Sequence, residues 1–74
     1  MQHWWYEPTG KAFAYLSDKW FYNVSDEPIG YIAGRSIYSP KGELIGNLDN
    51  QGEWIHSSKD GKTLGYLLPK LFES

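Results

Sequence analysis

From the third residue onward, apolar and polar positions follow one short pattern that recurs about every 16 residues. The stretch Ile37-Tyr38-Ser39-Pro40-Lys41-Gly42-Glu43-Leu44-Ile45-Gly46-Asn47-Leu48 aligns without a gap on Phe21-Tyr22-Asn23-Val24-Ser25-Asp26-Glu27-Pro28-Ile29-Gly30-Tyr31-Ile32. It aligns again on the segment from Trp5 to Leu16. A fourth copy, Ile55-His56-Ser57 and then Gly61-Lys62-Thr63-Leu64-Gly65-Tyr66-Leu67, fits once Ser58 is counted as an insertion. Each copy sets turn residues between two short alternating runs, which is the pattern of a β-hairpin.

The turns predict the register. Glu7-Pro8-Thr9-Gly10-Lys11 and Ser39-Pro40-Lys41-Gly42-Glu43 suit a three-residue loop, with Pro at the first corner of a type I turn and Gly in a left-handed bulge position. Asp26 takes that slot in the second copy, and Lys59-Asp60-Gly61 serves the fourth with one added residue. Counting outward, Tyr6 opposes Ala12, Trp5 opposes Phe13 and Trp4 opposes Ala14. The same count pairs Phe21 with Ile29, Ile37 with Ile45 and Ile55 with Leu64, and these large apolar residues form the predicted core face. Leu16, Ile32, Leu48 and Leu67 add to it. On the opposite face Trp4, Trp20, Ser36 and Trp54 are expected across from Ala14, Gly30, Gly46 and Gly65, aromatic rings covering bare backbone. Tyr6, Tyr22, Tyr38 and His56 make a second ring, and Tyr15, Tyr31, Asn47 and Tyr66 a third.

A lone hairpin is unstable, so the copies must pack together, and closing copy one against copy four removes both sheet edges. The expectation is one all-β domain over residues 1–74. It consists of four consecutive β-hairpin repeats near 3–16, 19–32, 35–48 and 53–67, in pseudo-fourfold symmetry, and a short C-terminal tail at 68–74. In that tail Leu71 and Phe72 are suited to plug one end of the assembly or to meet a second subunit. The aromatic-Tyr-x-Pro-x-Gly pattern with its Ile-Gly-Tyr-Leu return strand, four times over, resembles the small bacterial proteins called four-fold beta flower domains. The resemblance spans about residues 3 to 67 and implies a ring of hairpin petals. It implies no activity, cofactor or catalytic residue.

Composition then narrows the chemistry. There is no cysteine, so neither a disulfide framework nor a thiolate zinc site is available. Aromatic residues make up 18% of the chain and supply the packing that such a short chain otherwise lacks. A net charge of −2 with scattered Lys and Arg argues against nucleic acid as a partner. No apolar run is long enough to span a membrane, and the first eight residues carry no secretory pattern, so the cytoplasm is the expected compartment. Asp49-Asn50-Gln51-Gly52-Glu53 has oxygen ligands but not the spacing of a calcium loop, so no metal or cofactor is assigned.

The aromatic surface is the feature that stands out. Trp4, Tyr6, Trp20, Tyr22, Tyr38, Trp54 and His56 are the candidate ligand-binding residues, flat faces with polar tips suited to stacking. Ser36, Asn47 and His56 break the rings, and a site in use is expected where the symmetry fails. The expected function is a small non-enzymatic binding or protein-interaction module, with a homo-oligomer as one way of presenting the aromatic face. One alternative is an oligomeric protein that sequesters a small-molecule nucleotide signal, with Arg35, Lys41 or Lys59 facing its pocket. A purely structural accessory domain is another. An enzyme centred on His56 beside Ser57 and Ser58 ranks last, since a chain with no cysteine and two histidines offers few candidates and His56 fills a tyrosine position of its ring.

Overall fold

Residues 2–72 are described by the computed structural model; Met1 of the expected domain and Glu73 and Ser74 of the expected tail lie outside the described residues. Eight short strands run in sequence order: β1 (His3–Tyr6), β2 (Ala12–Ser17), β3 (Trp20–Asn23), β4 (Pro28–Ala33), β5 (Ser36–Tyr38), β6 (Leu44–Leu48), β7 (Trp54–Ser57) and β8 (Thr63–Leu68). Each pairs antiparallel with the next, and β8 returns to pair with β1 through Trp4↔Leu68, Trp5↔Leu67 and Tyr6↔Tyr66. The sheet is therefore a closed barrel of four hairpins, as the repeat predicts, and it has no free edge.

The turns form as their chemistry dictates. The Gly10 N–H donates to the Glu7 carbonyl and the Glu7 N–H to the Lys11 carbonyl, both at 2.7 Å, and the turns at Asn23 and Ser39 repeat this pair of bonds. The left-handed slot holds Gly10 (φ 99°), Asp26 (φ 63°) and Gly42 (φ 92°). Asn23 and Ser39 brace their loops further, their side-chain oxygens accepting from Glu27 N–H and Glu43 N–H respectively.

One step beyond each turn, the ladder departs from the sequence count. Tyr6 does oppose Ala12, but Trp5 opposes Ala14, because Phe13 is an extra residue in a β-bulge. The same bulge recurs in every hairpin: Phe21 pairs with Gly30, Ile37 with Gly46 and Ile55 with Gly65, leaving Ile29, Ile45 and Leu64 without a ladder partner. The expected pairs Trp5–Phe13, Phe21–Ile29, Ile37–Ile45 and Ile55–Leu64 are thus corrected by one residue. So is the expectation that outer tryptophans cover the glycines. Trp4, Trp20 and Trp54 face Tyr15, Tyr31 and Tyr66, and Ser36 faces Asn47. The glycines lie buried on the inner wall for a different reason. A Cβ on Gly30 would stand 2.6 Å from the Tyr38 carbonyl oxygen, and on Gly46 or Gly65 it would collide with the carbonyl of His56 or Tyr6. Absence of a side chain lets the second, third and fourth hairpins close onto the backbone of the next, while the first holds a fully buried Ala14 at the same place.

The inward set survives this correction, since the slip falls after the first strand of each hairpin has been assigned. Phe21, Ile37, Ile55 and Leu67 are fully buried, with Trp5, Ala14, Leu16 and Leu48 around them. Ile32 is half-buried and packs against this cluster, as do the bulge residues Phe13, Ile29, Ile45 and Leu64. The tail takes the plugging role. Leu71 and Phe72 pack on the core, and their N–H groups donate to the carbonyls of Gly52 and Gln51 at 3.0 and 3.1 Å. The Nδ1–H of His3 donates to the Pro69 carbonyl at 2.7 Å, and the Lys70 ammonium bonds Gln51 at 3.0 Å. Among the described residues no helix is long and apolar enough to cross a membrane.

Candidate functional site

Alternation along each strand sends every second side chain outward, so the neighbours of the core residues build the outer wall. There the rings that the sequence separates into three sets gather by sector, one from each of three adjacent strands. Trp4 on β1 tilts against Tyr15 on β2 (centroids 5.5 Å), which stacks on Tyr22 of β3 (5.5 Å). Trp20 meets Tyr31 at 5.1 Å, and Tyr31 stacks on Tyr38 at 5.4 Å. Trp54 meets Tyr66 at 5.1 Å, and Tyr66 stacks on Tyr6 at 5.4 Å across the seam between the first and last strands. Three sectors thus carry a Trp–Tyr–Tyr triad, tilted at the first contact and stacked at the second. Both geometries suit aromatic quadrupoles.

In the remaining sector the same three positions hold Ser36, Asn47 and His56. Ser36 Oγ donates to Asn47 Oδ1 at 3.1 Å, and Asn47 lies directly opposite His56. Of the seven expected binding residues, the structure places Trp4 with Tyr22, Trp20 with Tyr38, and Trp54 with Tyr6, and puts His56 in the polar sector. The residues missing from that set are the central ones, Tyr15, Tyr31 and Tyr66, which bridge each triad. Their role depends on the bulge: only the corrected register sets them opposite the tryptophans.

These rings are neither sealed in nor free. Trp4, Trp20 and the six tyrosines are half-buried, Trp54 is 39% exposed, and Asn47 and His56 are exposed. Each central tyrosine also reaches the turn of the next hairpin. The Tyr15 hydroxyl donates to the Asp26 carboxylate, and that bond, with partial burial and the carboxylate's charge adding to it, holds the Tyr15 phenol above its ordinary pKa. A Cβ on Gly42 would lie 3.6 Å from the Tyr31 hydroxyl, and one on Gly10 would lie 3.7 Å from that of Tyr66.

A groove of about 350 Å³ opens between the third and fourth turns, with Leu44, Ile45 and Leu64 as its floor and Ser39, Glu43, Ser57 and Lys59 at its rim. Lys59 is the cation of the expected three that lines it; the Arg35 guanidinium instead donates to Asn50. The Asp49 carboxylate accepts from the N–H groups of Gln51 and Glu53 at 3.1 and 2.9 Å, which ties its oxygens to the loop backbone. Burial works against its charge, but N–H groups of Glu53, Trp54, Gln51 and Gly52 outweigh that and hold the carboxyl below its ordinary value. Among the described residues no three His, Asp or Glu side chains gather where they would hold a metal ion.

No curated protein and no solved structure matches the chain. A family model described as 4-fold beta flower protein matches residues 3–67, from the first residue of β1 to the last buried residue of β8. With all four hairpins inside that span and the strands closed in a ring, this chain belongs to the 4-fold beta flower proteins.

Proposed function

We propose that this barrel is a small non-enzymatic binding or protein-interaction module whose outer aromatic wall takes the ligand or partner. The observation that carries this reading is the division of aromatic labour. All six tyrosines and three of the four tryptophans stand in the outer triads, while the interior is filled by a separate set led by Trp5, Phe21, Ile37 and Ile55. Rings with one open face and a hydroxyl or indole tip are the groups that dominate recognition surfaces. The hydroxyls beside His56 support a non-enzymatic role, because Ser57 Oγ accepts from the Lys59 N–H and Ser58 Oγ donates to the Leu44 carbonyl. The same proposal places the module in the bacterial cytoplasm, which immunodetection in fractionated host cells tests.

Titration of the purified protein with sugars, nucleotides and peptides, read by tryptophan fluorescence, tests the binding role together with affinity capture from host lysate. A saturable change lost in a Trp20→Ala, Trp54→Ala double variant supports it. Unchanged emission with every class, and a capture no richer than that of the variant, refutes it. A second reading, sequestration of a nucleotide signal, draws on Lys59 at the groove rim. It requires an ultraviolet-absorbing ligand that copurifies with the native protein and is lost in Lys59→Ala.

A further inference from the structure

Internal repetition supplies its own control for the outer wall. Three sectors show one solution, a tryptophan and two tyrosines with neighbouring centroids 5.1 to 5.5 Å apart. In the remaining sector all three rings are absent together, although Ser36, Asn47 and His56 come from three strands and two repeats. The ladders Ser36↔Asn47 and Asn47↔His56 persist there, so closure of the sheet does not depend on aromatic side chains at these places.

The replacements share one chemistry. A hydroxyl, a carboxamide and an imidazole each offer a donor and an acceptor, and none is the ammonium or guanidinium that a phosphate calls for. Ser36 engages the Asn47 oxygen at 3.1 Å, which leaves the Asn47 amide nitrogen available to a ligand oxygen. The row is also more open than the triads, Asn47 and His56 being exposed where the six tyrosines are half-buried. Where Tyr31 and Tyr66 reach over Gly42 and Gly10, Asn47 is too short to do so, and nothing lies within 4 Å of where a Cβ on Gly61 would stand. Aromatic residues flank the row along two of its strands. Tyr38 is two residues from Ser36 on the same face of β5, and Trp54, 39% exposed, is two residues from His56 on the same face of β7.

The geometry points to a saccharide-binding site in this sector, with Ser36, Asn47 and His56 hydrogen-bonding sugar hydroxyls and Trp54 stacking on the C–H face of a pyranose ring. A row of hydrogen-bond donors and acceptors beside an exposed indole matches a ligand that is apolar on its ring face and hydroxyl-rich at its edge. The inference rests on the outer wall being a recognition surface, and it names the ligand class and the sector.

The test is a ¹H–¹⁵N NMR titration of the full chain with glucose, galactose, mannose and N-acetylglucosamine oligosaccharides of one to four units. The expected result is saturable shifts at Ser36, Asn47, His56 and the Trp54 indole for at least one sugar. The triple variant Ser36→Trp, Asn47→Tyr, His56→Tyr, which restores the fourth aromatic triad, weakens that binding at least tenfold, and Asn47→Ala, a milder change, weakens it at least fivefold. No sugar-induced shift, or shifts that survive both variants, overturns the assignment. If peptides or nucleotides then move the Trp4 and Trp20 signals, the binding role of the wall stands and the saccharide site alone is wrong. If no ligand class moves any aromatic signal, both fail.

Discussion

At one end of the barrel the third link between hairpins meets the tail; at the other, the four hairpin turns stand around an apolar rim. The repeat builds both ends, yet it closes neither. At the link end Leu71 and Phe72 supply what the repeat lacks, packing on the core and bonding the carbonyls of Gly52 and Gln51. The third link, three residues longer than the others between its strands, finds its reason here: it forms the loop that receives the tail. At the turn end Phe13, Ile29, Ile45 and Leu64 remain half-buried, and between the third and fourth turns they leave the groove that Glu43 and Lys59 border. A symmetric repeat can fill the waist of a barrel, but sealing an end takes an element from outside the symmetry.

Ending the chain after Pro69 is the harshest way to erase the contrast. It removes two half-buried apolar side chains and two backbone hydrogen bonds, and we expect a loss of about 3–4 kcal/mol by urea denaturation. Gly52→Ala attacks the same contact from the loop side. Its Cβ would stand 2.7 Å from the Phe72 nitrogen and 2.9 Å from the Leu71 Cβ, at a φ of +68° that alanine adopts reluctantly. The expected cost is about 2–3 kcal/mol, and in the truncated chain it should fall to the roughly 1 kcal/mol owed to the positive φ alone. At the open end Leu64→Ala is expected to cost only about 1–2 kcal/mol, below the usual range for a buried leucine, because its site already meets water. A loss as large as that of the truncation would show that the turn end is closed as firmly as the other.

The smallest effect concerns Asp49. Its carboxyl is held below the ordinary value of 3.8, so the stabilisation is present above that value and is lost as pH falls through the lower folded-state pKa. Asp49→Asn should lower stability by about 0.5–1 kcal/mol at neutral pH, with the two proteins converging in acid melting curves once the pH falls below the folded-state pKa. A constant difference down to pH 2 would detach the effect from the carboxylate's charge.

Hairpin number, turn type and the inward set Trp5, Phe21, Ile37 and Ile55 could be read from the sequence because Pro8, Gly10, Pro40 and Gly42 leave few conformations open and the first strand is counted directly from the turn. The bulge could not be counted that way, since an outward count assumes an unbroken ladder. A local signal does exist. Phe13 and Leu16 are three residues apart, as are Ile29 and Ile32, Ile45 and Leu48, and Leu64 and Leu67. Members of such a pair cannot both face inward from a regular strand, so both belong to the core only if a residue is inserted between them. The glycine next to three of these bulge residues marks the place. The triads stayed hidden for the same reason, although Ser36, Asn47 and His56 could be picked out individually as exceptions.

The junction of β1 with β8, stacked across by Tyr6 and Tyr66, sets the route by which the chain must fold. Seven of the eight ladders join strands adjacent in sequence and form at little entropic cost, whereas this one must draw together segments some 60 residues apart. Petals can therefore assemble early and quickly, and the rate-limiting event falls on ring closure. Until it occurs, two bare strand edges are on offer to any other copy of the chain, which makes intermolecular exchange of a terminal hairpin the characteristic hazard of this design.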